Sequence, residues 1–383
     1  MNFANGKRCP VEARSFSIFR LSILFCACLA HLPALTAQVS PGQIDDIFTS
    51  LKSTNAPGAA VLVIRDGKTL FRKGYGVADL RTLQSITPET NFRLASFTKQ
   101  FTATCIMLLA RDGKLRYDEH LTDIFPEFPS YGRAITIRNL LNHTSGLPDY
   151  EEILMKQYSD TPPEKIPRIL DAGVLKLLEG QLKGIFPPGS KWEYSNSGYA
   201  VLAMIVEKVS GKPFGQFLQD RIFAPLHMNN TLAFEKGKNE VPHRAYGHTK
   251  ETDSFKETDQ SPTSAVLGDG GIYSSIEDLA KWDQALRRHT LLSKTQMQPA
   301  LTPVQVAGGL PSSEGHSVSY GFGWFLDPYR GHRRMWHDGE TIGFHTTIQR
   351  FPEDNLTIIV LANRTDVDPE KLALKVADLF LGH

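Results

Sequence analysis

A serine and a lysine that could form a nucleophilic pair stand three positions apart in the segment ASFTKQ. The segment leads into an apolar run that predicts a helix, and residues three apart share one helical face. Ser96 and Lys99 can therefore meet if that face lines a cleft. Lysine can activate a serine hydroxyl only if its environment lowers its pKa from about 10.4. No other serine has a lysine three residues later, although a helix lysine that merely reaches water gives the same pattern.

A tyrosine and an asparagine, Tyr194 and Asn196, stand two residues apart in WEYSNSGYAVLA, directly before another predicted helix. In an extended turn, side chains two residues apart project to the same side. A phenol can exchange protons, and an amide can orient a cation or hold a substrate carbonyl. The structural alternative is that Asn196 or Ser195 caps the helix and that Tyr194 is a half-buried aromatic residue.

A third group of candidates lies in RRMWHDGETIGFHT, which predicts a strand. Of the twelve histidines, only His337 is followed by a glycine two residues later. Gly339 would let a substrate backbone lie close to the strand, and the N–H of Glu340 would then be available as a donor. A histidine at a strand edge can also be an ordinary polar residue. The three groups together, in this order, favour a catalytic site.

The elements that must position these groups follow one another in a simple order. Two strand-like runs joined by Asp66-Gly67 predict a hairpin, and helical patterns dominate from Phe101 to about Leu291. Strands return at YGFGWFL, RRMWH, FHTTIQRF and LTIIVLAN, before a closing helix in PEKLALKVADLFL. We therefore predict α/β plus all-α lobes, with one sheet built from both chain ends and a large helical insertion. The polar segment 234–264 is expected to form surface loops that border a cleft.

The first 37 residues differ in composition from the rest of the chain. Basic residues precede LSILFCACLAHLPALTA, whose apolar run of about 12 residues ends in small residues, which is the layout of a secretory signal. We predict a signal peptide at 1–37, one catalytic domain at 38–383, and export to the periplasm or the extracellular space. A retained anchor is the alternative, but the run is shorter than the ~20 residues of a spanning helix. No stable membrane span is expected after cleavage.

Composition and motif content argue against several classes of binding partner and of enzyme. Lys+Arg 42 against Asp+Glu 41 argues against nucleic acid as a partner. Cys105 is the only cysteine after the leader, which excludes a disulfide within the mature monomer and predicts a buried, inert thiol. Without metal-ligand spacing or a Gly-x-Ser-x-Gly elbow, neither a metallohydrolase nor an α/β-hydrolase is supported. The sequence leaves the oligomeric state open.

The segments SFTK, YSN and HDG resemble the motifs of the serine β-lactamase and penicillin-binding-protein superfamily, which are Ser-x-x-Lys, Tyr-x-Asn and Lys-Thr-Gly or His-x-Gly. The chain is similar to the branch that contains class C β-lactamases, D-alanyl-D-alanine carboxypeptidases, D-aminopeptidases and related esterases. LLNHTSGLPDY, GDGGIYSSIEDLAKW and YGFGWFL also look like segments of that family, so the resemblance covers most of residues 43–383. It implies a β-lactamase/transpeptidase-like fold and an enzyme that requires no cofactor or metal.

The resemblance also implies a role for each motif residue. Ser96 would be the acylated nucleophile, Lys99 its hydrogen-bonded activator, and Tyr194 the phenolic base that exchanges protons with Ser96 and the leaving group. Asn196 would orient Lys99 and hold the substrate carbonyl. His337 would steer Tyr194 or the substrate.

The same resemblance implies an oxyanion hole and a substrate-contacting strand. The oxyanion hole would consist of the backbone N–H groups of Ser96 and Glu340, and loss of one such donor costs ~2.7 to 4 kcal/mol in a well-studied hydrolase. Asp338 and Gly339 would contact the substrate. The strand motif therefore carries both catalytic and binding groups.

The strand motif departs from that of the β-lactamases in a way that bears on substrate. Where those enzymes carry Lys-Thr-Gly to help hold a substrate carboxylate, this chain has His337 and Asp338, with Glu340 beside them. Two carboxylates that face the site would disfavour an anionic substrate end, unless they point to solvent. Arg333 and Arg334 could compensate, but charges at a strand start are usually solvated. We therefore expect weak or absent β-lactamase activity.

Tyr150 and Trp192 are candidates for aromatic residues that line the cleft, with a place in the core as the alternative. We expect an exported serine hydrolase of esterase or peptidase type, acting through an acyl-enzyme on a small ester, amide or peptidoglycan-peptide substrate. The alternatives are a penicillin-binding D,D-peptidase, a β-lactamase, or a non-catalytic receptor on the same fold. The three intact motifs argue against the receptor.

Overall fold

The computed structural model describes residues 39–309, 311–313 and 315–382. The predicted signal peptide lies outside these residues, so that prediction stays open. The α-helices of the described chain are α1 Pro41–Ile47, α2 Lys99–Arg111, α3 Leu121–Ile124, α4 Ile137–Leu141, α5 Tyr150–Gln157, α6 Asp171–Glu179, α7 Asn196–Ser210, α8 Phe214–Leu218, α9 Leu267–Gly270, α10 Ile276–Arg288, α11 Lys294–Met297 and α12 Pro369–Asp378.

Strands and short helical turns complete the described elements. The strands are β1 Ala59–Arg65, β2 Lys68–Tyr75, β3 Val77–Asp79, β4 Gln84–Ser85, β5 Phe92–Arg93, β6 Leu232–Ala233, β7 His248–Lys250, β8 Phe255–Glu257, β9 Ile272–Ser274, β10 Ser312–Ser313, β11 His316–Ser317, β12 Met335–Thr341, β13 Phe344–Phe351 and β14 Leu356–Ala362. 3-10 turns occupy Thr49–Leu51, Ala95–Thr98, Ser130–Ala134, Pro163–Lys165 and Gln298–Leu301, and Gln219–Phe223 is a π-helical turn.

The central sheet joins the two ends of the chain. Its strand order is β12-β13-β14-β1-β2, with every neighbouring pair antiparallel. Strands β1 and β14 are almost continuously apolar and buried on both faces, which is why they pair in the middle of the sheet, with Val61 opposite Val360. The predicted sheet from both chain ends is therefore confirmed, and β12 is left as an edge strand.

The hairpin between β1 and β2 also forms as predicted. Asp66 and Gly67 have φ values of 52° and 75°, which are the left-handed values that a two-residue hairpin turn requires. Aspartate and glycine tolerate this region better than most residues. The turn chemistry in the sequence was therefore enough to place this connection.

Helices cover both faces of the sheet. Helices α1 and α12 pack on one face, where Ile44, Phe48 and Val376 join the side chains of β1 and β14 in one apolar cluster. Helix α10 packs against the other face, and α2 runs through the main core beside α7. Helix α2 is buried at every position from Lys99 to Leu109, including Cys105, as predicted. Burial also raises the pKa of the Cys105 thiol, which suits an inert residue.

The predicted strand at YGFGWFL does not form. Tyr320 and Phe325 form one isolated bridge with each other, and Phe325 forms another with Trp336, because the glycines between Tyr320 and Phe325 turn the chain. A Cβ on Gly321 would lie 1.8 Å from the carbonyl oxygen of Ala300, and Gly323 has a φ of 74°. Alternation of aromatic residues with glycine thus marks a tight turn here rather than an extended strand.

The polar segment 234–264 forms loops around the short hairpin of β7 and β8, which agrees with the prediction. Thr249 of β7 reaches the rim of the cleft described below. None of the helices in the described ranges has the length and apolar character needed to cross a membrane.

Candidate active site

Ser96 lies in the 3-10 turn Ala95–Thr98 that leads directly into α2. The preceding residue, Ala95, is buried with a φ of 50°, a left-handed conformation that is uncommon for a residue other than glycine. Strained backbone of this kind clusters at functional sites, where the surrounding packing enforces it. The turn presents Ser96 to a cleft, and the serine side chain is partly exposed there.

Lys99 is fully buried at the first turn of α2, with 0% of its surface exposed. Its Nζ donates to Ser96 Oγ at 2.9 Å, to Asn196 Oδ1 at 2.8 Å and to the backbone oxygen of Asp269 at 3.0 Å. The structure thus brings together the predicted serine, lysine and asparagine. Burial lowers the pKa of Lys99 to about 8, because a charged amine is poorly solvated there, while acidic neighbours oppose the shift.

Asn196 is free to hold Lys99 because its neighbour caps the helix. The Oγ of Ser195 accepts a hydrogen bond from the N–H of Gly198 at 3.1 Å and forms the N-cap of α7. The structural alternative for this segment is therefore correct for Ser195 and not for Asn196.

Tyr194 places its hydroxyl in a buried position beside the nucleophile. The Lys99 Nζ lies 4.9 Å from the centroid of the tyrosine ring. The buried hydroxyl has no hydrogen-bond partner among the described residues. Burial raises the pKa of Tyr194 well above its usual value, and Ser96 is the neighbour that opposes this shift most. Tyr194 is therefore a neutral phenol that faces Ser96 and is free to bond to a reacting group.

His143 is a residue of this site that sequence reasoning missed. It is fully buried with a φ of 63°, and its ring centroid lies 4.4 Å from that of Tyr194. Its Nδ1 accepts a hydrogen bond from the N–H of Ser195 at 3.1 Å, so the ring hydrogen is on Nε2, which has no described partner. The imidazole supports Tyr194 from behind. His143 lies in LLNHTSGLPDY, and the resemblance of this segment to the family was the signal that could have identified it.

His337 also lies behind Tyr194 and does not line the cleft. Only 2% of its surface is exposed, and its Nδ1 donates to the backbone oxygen of Asp338 at 2.6 Å. Its Nε2 therefore accepts from the Tyr320 hydroxyl at 3.2 Å. Burial lowers the pKa of His337 to about 3, so it is neutral. Its ring lies 6.2 Å from that of Tyr194, so any steering acts through packing rather than through a hydrogen bond.

The edge strand β12 offers backbone donors to the cleft. The N–H and C=O of Trp336 both pair with Phe325, on the side of β12 that faces away from β13. Backbone groups alternate in direction along an antiparallel strand, so the N–H of Glu340 also points to that open side. Ser96 is the second residue of its 3-10 turn, so its N–H has no acceptor within the turn. These two groups are those predicted for the oxyanion hole.

Gly339 has a packing role that the sequence did not predict. A Cβ at this position would lie 2.0 Å from the backbone oxygen of Leu94 and 2.4 Å from Thr346 Oγ1. The glycine is therefore required so that β12 can approach the turn that carries Ser96. Gly339 is buried and lines a neighbouring hollow together with Asp338 and Glu340, so its predicted contact with a substrate stays a prediction.

The cleft in front of Ser96 has a volume of ≈ 730 Å³. It is lined by Ser96, Tyr194, Asn196, Thr249, Asp338, Glu340, Thr341, Ile342, His345 and Thr365. Polar side chains dominate this lining, and no arginine or lysine is among these described residues. The cleft therefore offers no permanent cation to an anionic substrate group.

The two carboxylates of the strand motif differ in environment. Asp338 is half-buried and accepts a hydrogen bond from the Thr347 hydroxyl, and burial together with Glu370 raises its pKa to about 8. It is thus a largely protonated carboxyl at neutral pH. The side chain of Glu340 is 83% exposed and lies 3.4 Å from His345 Nε2. Glu340 is the carboxylate that carries negative charge at the cleft.

The two arginines before the strand do not compensate this charge within the cleft. Arg334 is buried, where its guanidinium bonds Asp327 and donates to Glu370 Oε1 at 3.1 Å. Arg333 is exposed and lies near Glu353. Neither arginine lines the cleft. The described lining of the cleft therefore lacks the arginine or lysine that would pair with a substrate carboxylate.

The two aromatic candidates for the cleft wall are core residues. Tyr150 is 1% exposed, so the prediction that it contacts substrate is wrong. Its hydroxyl donates to Asp269 Oδ2 at 2.9 Å, which places it behind the Asp269 backbone oxygen that holds Lys99. Trp192 is buried against Tyr320. Asp269, in the GDGG segment, was missed as a partner of Lys99, and burial raises the pKa of its carboxyl to about 6.

No group of His, Cys, Asp and Glu among the described residues is arranged to hold a metal ion. The chemistry that the described side chains support is that of an activated hydroxyl. The buried amine of Lys99 and the phenol of Tyr194 both lie beside the hydroxyl of Ser96. Two backbone N–H groups nearby can stabilise an oxyanion.

A serine–lysine pair at the start of a buried helix, facing the edge strand of an antiparallel sheet, defines a serine hydrolase of the β-lactamase fold. The beta-lactamase family model matches residues 44–381, and the chain belongs to this family. "Penicillin-binding protein 4*" of Bacillus subtilis is 33% identical over 88% of this chain and 75% of its own length.

Two solved structures extend the likeness to the whole fold. The octameric penicillin-binding protein homologue from Pyrococcus abyssi superposes with a TM-score of 0.76 at 26% identity, over 88% of this chain and 76% of its own. The D-amino acid amidase from Ochrobactrum anthropi, complexed with L-phenylalanine amide, gives a TM-score of 0.73 at 25% identity, over 88% and 96%. The predicted family and fold class are confirmed.

Proposed function

We propose that this protein is an exported hydrolase that forms an acyl-enzyme on Ser96 and cleaves small esters or amides whose recognised end is not anionic. The observation that carries the proposal is the hydrogen bond of 2.9 Å between the buried Lys99 Nζ and Ser96 Oγ. A lysine whose pKa is lowered by burial is a competent activator of a serine at neutral pH.

Acylation begins when the neutral amine of Lys99 accepts the proton of Ser96. The serine oxygen then bonds to the substrate carbonyl carbon, and the oxyanion that forms accepts hydrogen bonds from the N–H groups of Ser96 and Glu340. The bond to the leaving group breaks as Tyr194 donates its phenolic proton to that group. Lys99 returns a proton to the phenolate, which leaves an ester on Ser96 and a neutral Lys99.

This order of proton transfers differs from the role of first base that the resemblance implied for Tyr194. The pKa of Lys99 is lowered and that of Tyr194 is raised, so the amine loses its proton far more readily than the phenol does. We therefore assign the first proton acceptance to Lys99 and the donation to the leaving group to Tyr194. Asn196 holds the lysine through the whole cycle.

Deacylation uses the same groups, with water as the attacking nucleophile and Ser96 as the leaving group. A water attacks the acyl carbon while one of its protons passes to the Tyr194–Lys99 pair, and the second tetrahedral intermediate occupies the same oxyanion hole. When the bond to Ser96 Oγ breaks, the pair returns that proton to the serine oxygen. The carboxylic acid product leaves, and the site is restored.

The charge of the cleft supports the substrate class. Its described lining lacks arginine and lysine, and Glu340 contributes a negative charge, so a substrate carboxylate has no partner there. A neutral ester or an amide with a free amine avoids this cost. The amide bound to the Ochrobactrum anthropi structural neighbour supports a small amide substrate for this chain.

A second candidate function, a penicillin-binding D,D-peptidase, is supported by the name of the Bacillus subtilis relative. It would bind peptidoglycan peptides and form a slowly hydrolysed adduct with penicillin. The signal-like layout of residues 1–37 suits either function, since both are consistent with export.

The test is a substrate panel with Ser96→Ala as the inactive control. The panel compares p-nitrophenyl acetate and butyrate, D-phenylalanine amide and nitrocefin by kcat/KM. We expect Ser96-dependent turnover of an ester or the amide, with nitrocefin at least tenfold slower. Nitrocefin turnover that exceeds all the others would instead identify a β-lactamase.

A further inference from the structure

A second pocket, of ≈ 320 Å³, lies at the end of β12 opposite the catalytic Glu340. It is formed between the C-terminal end of α10, helix α11 and the residues around Met335, Phe351 and Leu356. Its volume falls at the lower end of the range of about 300–1,000 Å³ that is usual for small-molecule sites. Its lining has no residue in common with that of the catalytic cleft.

The charged side chains that line this pocket are all basic. Arg287, Lys294, Arg333 and Arg350 line it, and no aspartate or glutamate is among its described lining residues. The whole chain is nearly neutral, with a formal charge of +1, so this local excess does not follow from composition. Asp283 and Glu353 lie within 4 Å of Arg350 and Arg333, so a net excess of positive charge remains around this concave space and favours an anionic ligand.

Arg350 is a buried cation with a free donor. Only 6% of its surface is exposed, its Nε donates to Asp283 Oδ1 at 2.8 Å, and its Nη1 contacts Met335 Sδ at 3.5 Å. No described residue accepts a hydrogen bond from its Nη2. Asp283 holds this buried guanidinium in the pocket wall and leaves its Nη2 unpaired. Arg350 is therefore a positioned hydrogen-bond donor for an anion.

The three other cations are weakly engaged. Arg287 donates to Asn355 Oδ1 at 3.3 Å, and no described carboxylate lies within 4.0 Å of the charged nitrogens of Arg287 or Lys294. Arg333 lies 3.8 Å from Glu353, and both side chains are exposed. Their charge is therefore available to a ligand.

The floor of the pocket is apolar. Leu286, Met297, Leu301 and Met335 form this surface, and all four belong to the main core or pack against it. Phe351 and Leu356 border the pocket, but their side chains are buried in the apolar cluster on the other face of the sheet. Contact with such a surface stabilises an aliphatic or aromatic group by ~25 cal/mol per Å² removed from water. A simple inorganic anion would leave this part of the pocket unused.

We propose that this pocket binds one molecule of an anionic amphiphile, with a carboxylate, sulfate or phosphate head at Arg350 and an apolar body against Met297, Leu301 and Met335. Arg287, Lys294 and Arg333 surround the head. The site is separate from the catalytic cleft, and its ligand is neither the substrate nor required for the reaction at Ser96.

The test uses decanoate as the probe and methionine methyl groups as reporters. In protein labelled with [¹³C-methyl]methionine, decanoate is expected to shift the resonances of Met297 and Met335, which line the pocket, and not those of Met155 or Met228, which do not. The shifts also give the dissociation constant. This readout distinguishes the pocket from the catalytic cleft, whose described lining contains no methionine.

The variant R287Q/K294Q/R333Q is expected to weaken decanoate binding at least tenfold and to keep its ester turnover, because none of these residues touches the cleft. The matched control R116Q/R133Q/K238Q removes two arginines and one lysine from exposed positions elsewhere and should bind decanoate as the wild type does. Arg350 is left intact, since its loss would strand the buried Asp283.

Three results would overturn the proposal. The first is decanoate that leaves both pocket methionines unshifted. The second is a triple variant that binds like the wild type. The third is decyltrimethylammonium or inorganic phosphate that binds as tightly as decanoate, since the site requires both an anionic head and an apolar body.

Discussion

Lys99 and Tyr194 lie against each other at the base of the cleft, with the lysine Nζ 4.9 Å from the centroid of the tyrosine ring. Burial acts on both residues, lowering the pKa of the amine and raising that of the phenol. In water the phenol is slightly the stronger acid of the two, so burial reverses this order. The amine can lose its proton and then accept one from Ser96, whereas the phenol stays protonated and can donate. The catalytic account depends on this relationship.

Lys99→Met tests the activator. The substitution keeps most of the side-chain volume and removes the amine, so we expect kcat/KM for an ester to fall by ~10² to 10⁴-fold, the usual contribution of a positioned base. The free energy of unfolding should not decrease, because burying the lysine opposes its charged form. Steady-state kinetics and urea denaturation measure the two effects. Lys238→Met, at a 72% exposed lysine, is the control, and K99M with more than a tenth of wild-type activity would refute the role.

The pH profile tests which form of Lys99 reacts. Because the neutral amine is the reactive form, kcat/KM should fall as the pH drops below the lysine pKa of about 8 and level off above it. Asp338, whose pKa is also raised to about 8, could produce a limb in the same range. Asp338→Asn separates the two groups. A limb that persists in D338N belongs to Lys99, and a limb that vanishes shows that the assignment is wrong.

Gly339→Ala tests the contact between β12 and the turn that carries Ser96. The new Cβ would lie 2.0 Å from the Leu94 oxygen, so the strand must move away. We expect a loss of ~1 to 3 kcal/mol in the free energy of unfolding, with a larger proportional loss of activity as the oxyanion hole widens. Gly42→Ala is the control, because its nearest neighbour, Ser40 Oγ, is 3.8 Å away. Equal urea midpoints for the two variants would contradict the steric argument.

Glu340→Gln tests the charge of the cleft. The backbone N–H is retained, so ester turnover should stay within about threefold of wild type. Acylation by penicillin should rise roughly three- to tenfold at low salt and less at high salt, because one exposed negative charge is removed. Stopped-flow acylation rates at two ionic strengths give the answer. An unchanged penicillin rate at low salt would mean that charge does not control substrate choice.

Sequence patterns predicted the sheet and the three motifs of the candidate site because these depend on local features. The apolar runs of β1 and β14, the Asp66-Gly67 turn and the Ser96–Lys99 spacing are all readable within a few residues. Other features depend on packing between distant segments. Tyr150 was misplaced because an aromatic residue at a helix start looks the same in a cleft wall and in the core.

The residues that contact Lys99 and Tyr194 could not be predicted either, because they come from distant segments of the chain. Asp269 and His143 are far from Ser96 in sequence, and only the packing of the helical lobe brings them to the site. His337 was found by its motif, but its hydrogen bond to Tyr320 could not be deduced, because it depends on how the loop before β12 packs against that strand. The chemistry of the motif is local, whereas the environment that sets each pKa is not.

The measurement that tests the central claim most directly is the intact mass of the protein after reaction with a fluorophosphonate probe and, separately, with penicillin. We predict one fluorophosphonate adduct, located on Ser96 by peptide mapping and absent from Ser96→Ala, with Ser254→Ala labelled as the wild type is. Penicillin is predicted to leave little adduct. Labelling that persists in S96A would contradict the assignment of the nucleophile, and a stable penicillin adduct on Ser96 would contradict the proposed substrate class.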